Sequence, residues 1–211
     1  MNRSFERLVS PLLLLVTAPS GAGKTTVGLQ LLATTPGLVR AVTCTTRSPR
    51  PGERDAVDYH FLDRATFERR VAAGDFLEHA EVYGNRYGTL RDEVRGRLAG
   101  GADVLLSVDV QGAEAIRTAA GQDPVLREAL VSVFLMPPSV AELERRLNGR
   151  KQDAPEVIAR RLAMAREEME HWPHFDYTVV SGTREEDLAA MQRLVSVEKL
   201  RSRRIGRLVV P

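Results

Sequence analysis

Short apolar runs alternate with helical patterns along this chain, and the alternation predicts an α/β fold built on a parallel sheet. Runs that suit buried strands lie at residues 12–16, 38–45, 104–108, 131–136 and 179–180. The second of these runs ends in the sequence Ser48-Pro49-Arg50-Pro51-Gly52, which indicates a loop. Each of the other runs is separated from the next by enough chain for a crossover helix.

Capping residues indicate where the predicted helices begin. Asp63 can cap a helix that buries Phe67 and ends at Gly74. Residues 89–92 resemble a capping box, and we expect the Thr89 hydroxyl to open a helix there. Further starts are predicted at residues 139–142, 153–156 and 183–186. The basic tail, which comprises Arg201, Arg203, Arg204 and Arg207, is predicted to be a solvated helix end rather than an RNA contact.

The apolar run at residues 12–16 leads into a glycine-rich turn and then a helical pattern, which is the context of a phosphate-binding loop. Backbone N–H groups at the glycines can point at phosphate oxygens, and the helix N-terminus adds partial positive charge. Lys24 can reach the β- and γ-phosphates of a nucleotide, and the Thr25 hydroxyl can ligate Mg²⁺. The pattern asks for glycine where this chain has Ala18, and we interpret the small methyl group as tolerated. The predicted ATP-phosphate loop comprises Ala18, Pro19, Ser20, Gly21, Ala22, Gly23, Lys24, Thr25 and Thr26.

Composition narrows the class of protein further. The chain has 211 residues, of which 43% are hydrophobic and 27% are charged, as in one ordinary globular domain. The net charge of +2 gives no strong field for nucleic acid or a membrane, so we expect neither as a partner. Cys44 is the single cysteine, which excludes an intrachain disulfide and fits a reducing, cytoplasmic location. For assembly we expect a monomer or a small homo-oligomer.

A second phosphate site is indicated by the segment at residues 43–53, which reads TCTTRSPRPGE. Arg47 and Arg50 lie on a proline-braced loop, and Tyr59 follows closely. Each arginine can donate paired, charge-assisted hydrogen bonds to phosphate oxygens. The alternative interpretation of these two arginines alone is a solvated basic loop.

Three further motifs make the pattern specific: Phe76-Leu77-Glu78, the sequence GNRYGT at residues 84–89, and DVQG at residues 109–112. Together with the two phosphate segments they resemble the guanylate kinase family, from the phosphate loop through Glu198. The resemblance implies a P-loop NTPase-type parallel sheet flanked by helices, with an inserted GMP-binding lobe and a helical lid. It implies one domain over residues 1–211, with a core at about 8–42, 102–136 and 167–200, a lobe at about 43–98 and a lid at about 138–166.

The family transfers the γ-phosphoryl group of ATP to GMP, giving ADP and GDP, with Mg²⁺; dGMP stays open as a second acceptor. The resemblance implies that the GMP phosphate is held by Arg47, Arg50, Tyr59 and Tyr87. It implies that guanine is bound by Thr43, Glu78 and Thr89, because a carboxylate can accept from guanine N1–H and the 2-amino group. Asp109 is implied both at the GMP site and, with Thr25, at the metal. The implied catalytic residues are Lys24, Asp109, Arg146, Arg150 and Arg161, of which the last three are lid arginines.

The chain departs from the family pattern at two further places. Many relatives have a second acid at the position of Ser107, so the metal role is concentrated on Asp109. Ser181-Gly182 replaces a usual Asn-Asp pair, which leaves the adenine contacts open.

Two other functions fit parts of the pattern. A non-catalytic guanylate-kinase-like module that binds proteins would not need Lys24, Thr25 and Asp109. A small P-loop kinase for a sugar phosphate would not need Glu78 and Thr89 beside the two arginines of the basic loop.

Overall fold

A computed structural model describes residues 9–82, 84–148 and 155–206. The elements in chain order are β1 (Leu13–Thr17), α1 (Lys24–Thr34), β2 (Leu38–Arg40), β3 (Cys44–Thr45), β4 (His60–Phe61), α2 (Arg64–Ala72), β5 (Phe76–Val82), β6 (Asn85–Leu90), α3 (Arg91–Ala99), β7 (Asp103–Ser107), α4 (Val110–Gln122), α5 (Pro124–Ala129), β8 (Leu130–Met136), α6 (Val140–Asn148), α7 (Pro155–Met169), β9 (Tyr177–Val180) and α8 (Arg184–Glu198). Over these residues, no helix is both long and apolar enough to cross a membrane.

The core is a five-stranded sheet in the order β2-β7-β1-β8-β9, and every pairing in it is parallel. One face packs against α3, α4 and α5 through residues such as Val94, Ile116 and Leu126. The other face packs against α1 and α8 through Leu31 and Met191. Because both faces are covered, the strands are apolar on both sides, as their sequences predicted. The predicted α/β fold with a central parallel sheet is confirmed.

A second sheet of four strands, in the order β4-β3-β6-β5, lies between β2 and β7 in sequence. The apolar run at 38–45 therefore does not form one strand, because β2 joins the central sheet and β3 joins the second sheet. The sequence patterns did not predict the antiparallel hairpin of β5 and β6. Its strands alternate weakly, but Gly84, with φ of 77°, indicates the turn between them.

The helix starts agree with the predicted caps at three places and differ at a fourth. Ser139 Oγ accepts from Glu142 N at 3.1 Å at the start of α6. Residues 153 and 154 of the start predicted at 153–156 lie outside the described residues. Asp63 Oδ1 accepts from Thr66 N at 2.6 Å, and the Thr183–Glu186 capping box forms both of its hydrogen bonds. Helix α3 begins near the predicted position, but Leu90 is its N-cap and no side chain caps it. The predicted Thr89 capping box is wrong, because the Thr89 hydroxyl donates to Glu78 across the second sheet instead.

The basic tail is partly built into the core. Arg204 is 1% exposed, and its guanidinium lies 3.4 Å from Glu198, which is equally buried. The Arg204 carbonyl accepts from Ser10 N at 2.8 Å, and Glu198 also accepts from the Tyr177 hydroxyl. The prediction of a solvated tail is therefore wrong for Arg204, because long-range contacts with the chain before β1 bury it. Arg207 lies outside the described residues.

Candidate active site

The phosphate loop links the end of β1 to the start of α1. Gly21 and Gly23 have φ of 92° and 101°, in the left-handed region that favours glycine. A Cβ on Gly21 would lie 2.9 Å from Leu147 Cδ2, so α6 packs directly on this glycine. The loop curls tightly, since Ala22 N donates to the Pro19 carbonyl at 3.1 Å.

Ala18 occupies the position where the loop pattern asks for glycine. Its methyl group is 4% exposed and packs in the apolar cluster with Val16, Ala22 and Val27. Among the described non-glycine residues, only Ala56 has a positive φ, so Ala18 is not in a conformation that needs glycine. The structure therefore accommodates this departure as part of the core.

Lys24 is the first residue of α1, and its Nζ donates to the Val108 carbonyl at 2.6 Å. Burial lowers the pKa of Lys24, and the charges of Asp109 and Glu168 oppose that shift. A cavity of about 320 Å³ lies over the loop and is lined by Lys24, Thr25, Asp109 and Glu168 together with the glycines. The loop and its lysine thus face a cavity large enough for phosphate groups.

Asp109 lies between two cavities. It is the N-cap of α4, where its Oδ1 accepts from Gly112 N at 2.8 Å. It lines the cavity over the phosphate loop and also a neighbouring cavity of about 640 Å³ between β5, α4 and α7. A carboxylate at this position can contact molecules bound in either of the two cavities.

Glu78 and Thr89 form the polar pair of the second sheet. They face each other in the β5–β6 register, and the Thr89 hydroxyl donates to Glu78 Oε1 at 2.6 Å. Burial raises the pKa of Glu78 to about 7, and the nearby Asp109 charge acts in the same direction. A Cβ on Gly112 would lie 3.4 Å from Glu78 Oε2 and 3.3 Å from Asp109 Oδ1. Glu78 and Asp109 therefore meet around a glycine that leaves them room.

Arg47 lies among aromatic rings. Its guanidinium is 5.5 Å from the Tyr59 ring centroid, and the Tyr59 and Tyr87 rings meet edge to face at 6.2 Å. Arg47 Nη2 donates to both Glu53 oxygens, at 2.8 and 2.9 Å. Glu53 also accepts from Arg50 N at 2.7 Å. Glu53 was not predicted as a site residue, although it ends the sequence motif that carries both arginines.

Arg50 is exposed, whereas Arg47 lies against Tyr59 and Tyr59 lies against Tyr87. The structure therefore brings Arg47 and the two tyrosines closer to one another than it brings Arg50 to any of them. Thr43 and Tyr59 line a cavity of about 230 Å³ with Lys24, Thr25 and Ser107. Ser107 therefore faces this cavity rather than the one over the phosphate loop. Lys24 lines both cavities.

Helices α6 and α7, which fall in the predicted lid, pack on each other through Leu143, Leu147 and Ala165. Arg146 reaches the phosphate loop, with Nη1 at 3.3 Å from the Ala22 carbonyl and 3.4 Å from Ser181 Oγ. Its Nε donates to Glu142 at 2.8 Å.

The other two predicted lid arginines are Arg161 and Arg150. Arg161 is half-buried on α7 and, among the described residues, is not part of the lining of the cavity over the phosphate loop. Arg150 lies outside the described residues.

A further cavity of about 520 Å³ lies between the phosphate loop, α6 and the start of α8. Its lining includes Gln30, Arg146, Thr183 and Arg184. The Ser181 hydroxyl and the Gly182 backbone N–H both donate to the Asp187 carboxylate at 2.8 Å. The Ser-Gly departure therefore builds a turn fixed by Asp187.

The comparisons with known proteins agree on one family. The guanylate kinase family model matches residues 10–198. Guanylate kinase of Paramagnetospirillum magneticum is 47% identical over 92% of this chain and 89% of its own length, and that of Rhodospirillum rubrum is 45% identical over 92% and 87%. The crystal structure of guanylate kinase from Anaplasma phagocytophilum superimposes with a TM-score of 0.74 at 33% identity, covering 97% of this chain and 94% of that one. The chain belongs to the guanylate kinase family.

Proposed function

We propose how the cleft of this chain performs the ATP:GMP phosphotransfer that membership of the guanylate kinase family gives it. The donor triphosphate lies over residues 18–26, where the loop N–H groups and Lys24 face the phosphate cavity. The adenosine lies in the adjoining cavity lined by Gln30, Thr183 and Arg184. Arg146 lies between these two cavities, because it contacts the loop at Ala22 and lines the adenosine cavity.

The acceptor lies on the second sheet. Glu78 accepts from guanine N1–H and the 2-amino group, and the hydroxyls of Thr43 and Thr89 donate to O6. The Thr89 hydroxyl has a single proton, which it donates to Glu78 Oε1 before the base arrives and exchanges for the hydrogen bond to O6 when guanine binds. The GMP phosphate is bound by Arg47, Arg50, Tyr59 and Tyr87, and Glu53 orients Arg47 through two hydrogen bonds.

Thr25 and Asp109 fit Mg²⁺, because both present oxygen atoms to the phosphate cavity and Mg²⁺ prefers oxygen ligands, several of them water and phosphate. When bound, the ion would neutralise charge on the transferring phosphoryl group. Asp109 Oδ1 is engaged by Gly112 N, which holds the carboxylate in one orientation for this role.

The chemistry needs no protein nucleophile, since the GMP phosphate attacks the γ-phosphorus directly in an in-line transfer. The protein positions the two nucleotides and neutralises the developing charge. Lys24 does so from the loop, and Arg146, Arg150 and Arg161 do so from the lid. We divide the chain accordingly into a core at about 8–42, 102–136 and 167–200, a GMP-binding lobe at about 43–98 and a lid at about 138–166.

The observation that supports this assignment best is the position of Asp109, which lines the phosphate-loop cavity and whose carboxylate meets that of Glu78 around Gly112. A coupled assay for ADP, run with GMP, AMP, CMP and UMP in turn, tests it. ADP should form rapidly with GMP and only slowly with the other three. Equal rates with all four, or ADP release without any acceptor, would contradict the proposal.

We also propose a cytoplasmic location, where both nucleotides are available and thiols stay reduced. Cys44 is buried and its pKa is raised to about 11, so it is an unreactive structural thiol that needs no disulfide. A monomer or small homo-oligomer remains our prediction for assembly.

A further inference from the structure

A carboxylate lies in the cavity that is built for phosphate. Glu168 is near the end of α7, and its Oε2 accepts from Ser20 N of the phosphate loop at 3.4 Å. It lines the cavity over the loop and also the neighbouring cavity beside β5 and α4. No sequence motif pointed to this residue, and none of the family roles described above uses it.

The negatively charged Glu168 lies among groups that are suited to bind a phosphate anion. Burial disfavours its charge and raises the pKa of Glu168, and the Asp109 charge acts in the same direction, while the Ser20 N–H and the Lys24 charge oppose the shift. Ser20 N is one of the loop N–H groups assigned above to the donor phosphates. A nucleotide phosphate and the Glu168 carboxylate therefore compete for the same donors and repel each other.

The helix that carries Glu168 also carries a lid arginine. Arg161 precedes Glu168 by seven residues on α7, a spacing that places both on one side of a helix. Movement of Glu168 away from the loop would thus shift the segment that carries Arg161. The hydrogen bond between Ser20 N and Glu168 therefore connects the phosphate loop with α7, and a nucleotide phosphate bound to Ser20 N would break it.

We propose that Glu168 is a positioning residue of the donor site, which occupies the phosphate loop in the absence of nucleotide and is displaced by the ATP phosphates. The displacement links donor binding to the position of α7. This inference rests on the proposed assignment of residues 18–26 to ATP. When the nucleotide binds, α7 gives up the hydrogen bond between Glu168 and Ser20 N.

Calorimetric titration of the full chain tests the inference. ATP is titrated without Mg²⁺, so that no metal can bind Glu168, and GMP is titrated separately. Glu168→Gln removes the charge and Glu168→Ala removes the whole group. Glu170→Gln is the matched control, because it removes an exposed acid two residues further along the chain.

In both Glu168 variants the dissociation constant for ATP should fall by about threefold to tenfold, the worth of one weak charge-assisted hydrogen bond. Affinity for GMP should not change, and the control should match the wild type. Hydrogen exchange in ligand-free Glu168→Ala should be faster over residues 155–169, because the tie to the loop is lost. A purely structural role would not tighten ATP binding, so unchanged or weaker ATP affinity in both folded variants would overturn the inference.

The same titration of Lys24→Met separates this inference from the donor-site assignment. If that variant keeps wild-type ATP affinity, the assignment of the loop to ATP fails. If it weakens ATP binding while the Glu168 variants do not strengthen it, the loop assignment stands and the inference about Glu168 alone fails.

Discussion

Replacing Glu78 by glutamine tests the guanine site with the smallest change in shape. The carboxylate is held by the Thr89 hydroxyl at 2.6 Å and is largely withdrawn from water, as its raised pKa of about 7 reflects. Glutamine keeps one acceptor oxygen but turns an NH₂ group toward a guanine donor. One hydrogen bond is then lost and a donor faces a donor.

The magnitude follows from the kind of bond removed. A hydrogen bond to a charged group contributes about 1.5–3 kcal/mol. Since each 1.36 kcal/mol is a factor of ten in rate, kcat/KM for GMP should fall by about 10-fold to 150-fold. Adenine offers an acceptor at N1 that the new amide can meet, so the preference for GMP over AMP should shrink at the same time. ATP affinity should not change, because Glu78 lies on the second sheet.

The coupled ADP assay measures both ratios at several GMP and AMP concentrations. Glu68→Gln is the control, since it removes an α2 carboxylate that forms ion pairs with Arg64 and Arg86. If Glu78→Gln keeps wild-type GMP kinetics and wild-type selectivity, Glu78 does not bind guanine and the acceptor assignment is wrong.

Three further predictions concern the donor loop, the buried tail and pH. Lys24→Met should lower turnover by more than about tenfold while GMP affinity measured by calorimetry stays the same, because a main phosphate partner is lost; a variant that keeps its activity would refute the role of Lys24. Arg204→Met should lower the free energy of unfolding in urea by about 1–3 kcal/mol, because Glu198 loses its buried partner and keeps only the more exposed Arg201 as an ion pair; the exposed Arg203→Met is the control, and equal stability of both would contradict this. Since burial raises the pKa of Glu78 from 4.5 to about 7, the folded protein binds more protons there than the unfolded chain, and the free energy of unfolding should fall as pH rises from 4.5 to 7; an equally steep fall in Glu78→Gln would exclude Glu78 as its source.

Local patterns predicted the central sheet well. Strands buried on both faces are continuous apolar runs, so β1, β7 and β8 were predicted within a residue or two of their ends. The glycine-rich turn predicted the phosphate loop, because its backbone requires glycine at two positions with positive φ. These features depend on residues that are neighbours in the sequence, so they can be predicted from one sequence.

Long-range contacts decided the features that local patterns did not predict. Thr89 has the local signature of a cap, but its hydroxyl meets Glu78 across two strands that only the folded hairpin brings together. Arg204 has the signature of a solvated tail, but its guanidinium donates to the Pro11 carbonyl before β1 and to the Ala129 carbonyl at the end of α5. Both residues are polar groups whose partners are distant in sequence.

The acceptor site shows a similar division. The loop with Arg47 and Arg50 could be predicted, but Glu53, which holds Arg47 by two hydrogen bonds, was not assigned a role. Glu168 is separated from Ser20 by 148 residues, so its contact with the phosphate loop has no local signal. Its spacing of seven residues from Arg161 on α7 is the one feature that could have drawn attention to it.

The most direct test of the account is a crystal structure with adenosine and guanosine joined through a chain of five phosphates, which spans both proposed sites. We expect the guanine edge within hydrogen-bonding distance of Glu78 and Thr89, and the phosphates over residues 18–26. Asp109 should lie beside the join between the two halves. A guanosine half bound away from Glu78, or phosphates that do not contact the loop, would contradict the proposed transfer in this cleft.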